Sequence, residues 1–145
     1  LNLWAGPFCN IANSATLAVL AETGFSGAII SPELPGESLL SLPANSPLPL
    51  GAVIRGNWPL GISRVLSPAL KPGQPFTSPQ GETAWVSKFN ANYHLFPNWP
   101  LDLSAHEDRL VKAGFSLFVH IREHVPRAVS LKKRPGTWNW NLKLL

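Results

Sequence analysis

The segment from Asn10 to Leu34, NIANSATLAVLAETGFSGAIISPEL, constrains the fold of this chain more than any other. Asn13 or Ser14 can cap a helix, because a short polar side chain accepts from the unpaired N–H groups of a first helical turn. Leu17, Leu20 and Ala21 then fall on one helical face, and Gly24 supplies the stop. Phe25 to Ser31 follows at once. It is apolar, short and bounded, as expected of a strand covered on both faces. The strand closes in Ser31-Pro32-Glu33. Strand ends that turn polar are where parallel α/β proteins place their chemistry, so Glu33 is the one carboxylate with a position behind it.

The remaining segments extend this pattern. Leu1 to Ala5 reads as a short buried strand running into a Gly6-Pro7 break, and Gly36 to Leu42 as a brief helix. Leu50 to Arg55 is a further strand. From 56 to 103 the helical period disappears and prolines accumulate; within this excursion Glu82 to Phe89 alternates as a hairpin arm, opened by Pro79-Gln80-Gly81. Ser104 then offers a cap, Glu107 sits at the capping-box position, and Gly114 ends the helix. Phe115 to Ile121 is a strand, and 126–145 form a basic tail containing tryptophans. With βα units over 1–55 and 104–125, the order is that of a single α/β domain, or a fragment of one, with parallel strands and helical crossovers. Four such strands amount to half of an eight-stranded TIM-like (β/α)8 barrel or to one small open sheet. Half a barrel leaves two unpaired edges, which something must cover.

Composition narrows the options. Apolar residues make up 45% of the 145 and charged residues only 14%, beside six Trp and seven Phe. This describes either a well-filled core or a surface normally covered by a partner, such as a second copy or a preceding half-barrel. The formal charge is +4, with seven of the twelve Lys and Arg beyond Val111, which permits contact with nucleic acid without demanding it. The single cysteine, Cys9, excludes an internal disulfide and any all-cysteine metal site, and fits a cytoplasmic setting. No run approaches the about 20 apolar residues needed to span a bilayer. The chain has no Met and begins inside an apolar segment, which reads as a piece of a longer product.

The run GPFCNIANSATLAVLAETGFSGAIISPEL resembles the collagenase-like peptidase family, in which an N-x-x-N-S segment precedes a glycine-ended helix and a strand closing in Ser-Pro-Glu-Leu. PLGISR at 59–64, PQGETAWVSKF at 79–89 and AGFSLFVHI at 113–121 follow in the family's order. The resemblance implies the later half of a (β/α)8 barrel and, from the family name, peptide hydrolysis on a peptide or protein substrate. Some members are hydroxylation factors for RNA bases or quinone precursors, using an iron–sulfur cluster held by four cysteines. Here Val65 and Leu66 follow Ser63-Arg64 where a family cysteine comes shortly after, and Cys9 alone cannot supply four thiolates. No cofactor is therefore expected.

Glu33 fits an acid, a base or a ligand at a strand end; its ordinary alternative is to cap the next helix. Asn10 and Asn13 could hold a substrate's polar groups at the same rim, against helix capping by Asn13. Arg55, ending a strand, and Arg64, past a turn, could each clamp a carboxylate or phosphate, or could pair with a strand-end acid. The four histidines, His94, His106, His120 and His124, match no zinc spacing. No G-x-S-x-G elbow is present, and neither serine nor Cys9 is marked as a nucleophile. Lys132, Lys133 and Arg134, with Trp138 and Trp140, combine phosphate-seeking charge with stacking surfaces, the bland alternative being tryptophans packed on the body.

Overall fold

A computed structural model describes residues 1–79 and 81–133. In chain order it contains β1 (Trp4–Ala5), α1 (Ser14–Glu22), β2 (Gly27–Ile30), α2 (Gly36–Ser41), β3 (Leu50–Gly56), β4 (Gly61–Ser63), β5 (Pro75–Thr77), β6 (Thr83–Phe89), β7 (Asn92–Pro97), β8 (Leu101–Asp102), α3 (Glu107–Ala113) and β9 (Phe115–His120). The fold is α/β. It divides into two compact units, the first including Leu1–Arg55 and Asp102–His120, the second Gly56–Leu101 and, of the described residues beyond His120, 121–133.

The first unit is built on a parallel sheet. β1 pairs with β2, β2 with β3 and β3 with β9, all parallel, and β8 also joins β3. β2 runs beside Leu50–Ala52, whereas β9 follows β3 as far as Arg55. A strand has only two edges, so β8 must take the edge of β3 beyond the point where β2 stops. The sheet stays open; no barrel closes. Leu50 to Ile54 are buried without interruption, the pattern of a parallel strand covered on both faces. Ala5, Ile11, Leu17, Ala28, Ile30, Leu39, Leu42, Leu103, Leu110 and Phe115 are also buried in this unit.

Local chemistry fixes α1 at both ends. Asn13 is the N-cap, its Oδ1 accepting from the Thr16 N–H at 2.9 Å. At the other end, the Gly24 N–H reaches the Ala21 carbonyl and the Phe25 N–H the Leu20 carbonyl, a Schellman arrangement that needs the left-handed φ of 90° at Gly24. The strand expected over Phe25 to Ser31 is confined to Gly27–Ile30. Gly27 is required for a different reason: the Trp4 indole of the neighbouring strand occupies the space where a Cβ would stand.

The capping box expected at Ser104 does not form. Ser104–His106 make a single 3-10 turn and α3 starts at Glu107. The Ser104 N–H and hydroxyl both turn back to the Asp102 Oδ1. Asp102, two residues upstream, thereby takes the Ser104 N–H that a capping box would give to the Glu107 carboxylate, and it organises the turn.

The second unit contains an antiparallel sheet ordered β4-β7-β6-β5. β6 and β7 form a hairpin turning at Asn90, whose φ of 52° lies in the left-handed region that Asn tolerates. One face carries Trp85, stacked on Phe96 at 5.3 Å between ring centroids, and Val129 is buried with them. The proline-rich excursion thus has its own core. Lys132 is tied to it through its N–H, which donates to the Asn98 carbonyl at 2.6 Å. Arg134, Trp138 and Trp140 lie outside the described residues.

Candidate functional site: the strand rim of the first unit

Parallel strands deliver their carboxyl ends to one rim, and several of the first unit's polar residues follow or end its strands there. After β1 the chain makes a 3-10 turn over Pro7–Cys9 and leaves it through Asn10, held at a left-handed φ of 51°. The Ser31 N–H then donates to the Ile11 carbonyl at 3.0 Å, which stitches the end of β2 to this loop. Ser31 is buried and its Oγ accepts from the Glu33 N–H at 3.4 Å. Glu33 and Asn10, on the segments that follow β2 and β1, are both exposed.

Arg55, next to last in β3, pairs in register with His120, the last residue of β9. Its Nη2 lies 3.9 Å from Asp102 Oδ2, with the Arg55 side chain 63% exposed and that of Asp102 24% exposed. Burial pushes the Asp102 carboxyl up, but the two hydrogen bonds from Ser104 and the Arg55 guanidinium outweigh burial and hold it below the ordinary aspartate range. Asp102 is thus ionised across the neutral range, and its charge holds the turn into α3 and attracts the exposed Arg55 guanidinium.

The candidate residues separate accordingly. Asn10, Glu33 and Arg55 stand at strand ends on the rim. Asn13 spends its side-chain oxygen on the helix cap, accepting also from Thr16 Oγ1 at 3.1 Å. Arg55 has taken the strand-end acid that the sequence left open as its partner. Arg64 belongs to the second unit, just past β4, and is exposed. Asp102 is not among the sequence candidates, and His120 is weighed there only for a zinc spacing. The Asp-x-Ser spacing at a strand end was the available signal for Asp102, whereas His120 reaches the rim only through the β3–β9 register.

This arrangement can bind and orient. A half-exposed guanidinium offers donors to a carboxylate, Asn10 offers an amide, and Glu33 and His120 are proton-exchanging groups on the same rim. A four-thiolate cluster does not fit the donor set: Cys9 is an exposed, free thiol in the Pro7–Cys9 turn, and no group of three or more His, Cys, Asp or Glu suited to a metal ion occurs among the described residues. No helix among the described residues is long and apolar enough to cross a membrane. Compared with protein-family models, curated proteins and solved structures, the chain matches none.

Proposed function

We propose that this chain is a divergent collagenase-like peptidase domain that binds peptide along the strand rim of its first unit and hydrolyses it with Glu33 as the acid/base. The observation that carries this reading is the convergence on one rim of an exposed carboxylate, Glu33, with an Arg55 guanidinium oriented by Asp102. Arg55 would take a peptide carboxylate and Asn10 the peptide backbone, while Glu33 would take a proton from the water that attacks the scissile carbonyl and return it to the leaving amine. The SPEL strand end supplies the family resemblance. Cleavage of a peptide substrate by the wild-type chain and its loss in Glu33→Gln test this reading.

A second reading is favoured by the open sheet. β1, β8 and β9 are its outer strands, and Leu117 on β9 is 37% exposed. In this reading the four parallel strands are half of a (β/α)8 barrel, completed by a second copy or another chain, and binding rather than catalysis is the output. Sedimentation at increasing concentration decides it: self-association supports a completed barrel, and a strictly monomeric chain speaks against completion by a second copy.

A further inference from the structure

The second unit carries a cavity that the rim chemistry does not use. Residues directly opposite one another in an antiparallel sheet share a face. The register therefore places Gly61, Leu95 and Val86 in one row, and Ser63, Tyr93 and Lys88 in the next, on the face opposite Trp85 and Phe96. Phe76, opposite Ala84, joins the same face. The segment after β4 folds back over it through Val65, Leu66 and Leu70, and together they enclose a cavity of about 380 Å³ with a mainly apolar lining. That is within the size range of small-ligand sites.

Its charge is one-sided. Between 57 and 101 the only acid is Glu82, which precedes β6 and lines a different, smaller cavity with Lys132 and Lys133. Lys88 stands at the other end of β6, its Nζ 5.7 Å from the centre of the Tyr93 ring. Lys88 shares its row with Ser63 and Tyr93, which line the cavity, so this cation stands at that end of it. Ser63 Oγ is engaged with Val65, donating to its carbonyl at 2.7 Å, and so does not offer its proton to a ligand.

We propose that this cavity binds an aliphatic carboxylate, with the chain against Leu66, Phe76, Val86 and Leu95 and the carboxylate at the Lys88 end. The apolar lining selects the chain, and the Lys88 charge selects the sign of the head group.

Decanoate, kept below its micellar concentration, is the probe. It is titrated by calorimetry while the ring resonances of Tyr93, the sole tyrosine, are followed by NMR. Gly61 supplies a blocking variant, because a Cβ there meets nothing within 4 Å and Gly61→Leu can extend into the cavity without a clash. Wild type is expected to bind decanoate with saturable Tyr93 shifts and to bind decyltrimethylammonium far more weakly. Gly61→Leu is expected to keep the wild-type unfolding temperature and to lose decanoate binding. Lys88→Gln is expected to weaken decanoate about fivefold and to leave decanol unchanged. Tyr93 resonances that do not move, equal binding of the cationic amphiphile, or wild-type affinity in a folded Gly61→Leu would each overturn the proposal.

Discussion

Arg55 and Asp102 sit 3.9 Å apart at the rim of the parallel sheet, and the same Asp102 accepts both the N–H and the hydroxyl of Ser104. One carboxylate thus couples the end of β3 to the start of the α3 turn. Because the hydrogen bonds and the guanidinium depress the folded pKa of Asp102, its contribution to stability is complete above the unfolded value and fades as pH falls through the folded one. Thermal unfolding of wild type and Asp102→Asn should therefore differ by a constant amount above about pH 5, with the gap closing below about pH 4. A gap unchanged down to about pH 2 would remove the carboxylate from this role.

The packing of Trp4 over Gly27 makes a sharper demand. Gly27→Ala pushes a methyl into the indole and should cost about 1–3 kcal/mol, as overpacking of a filled site does. Denaturant unfolding of Gly27→Ala in a Trp4→Ala background should recover most of that cost, since the two changes share one contact. An equal cost in both backgrounds would place the effect elsewhere.

Asn13 tests the cap against the substrate-binding reading. Asn13→Ala should lose about 1 kcal/mol of stability, while Asn13→Asp, which keeps the acceptor for the Thr16 N–H, should lose little. Peptide affinity that fell in Asn13→Asp without loss of stability would give the side chain a role beyond the cap.

What could be read directly from the sequence was local. Gly24 and Phe25 end α1 through bonds within a few residues, and the unbroken apolar run Leu50–Ile54 signals a strand buried on both faces. The Ser104 capping box failed because an equally local competitor, Asp102, lies two residues upstream. The core of the second unit was harder to see. Trp85 and Phe96 meet Val129, which comes from a segment with no period to mark it. The rim divides in the same way: Glu33 was legible from the turn that follows its strand, whereas His120 and Asp102 reach Arg55 only through sheet register and chain return.

The most direct test of the rim as a hydrolytic site is the cleavage rate of a denatured-collagen peptide by wild type and by Glu33→Gln, compared at equal folded fraction. Glu33 is exposed, so the exchange should leave the fold intact. Wild type is expected to cleave the peptide, and Glu33→Gln to be slower by about 100-fold or more, the usual contribution of a general acid/base. Equal rates, or no cleavage by the wild-type chain, would contradict Glu33 as the catalytic group.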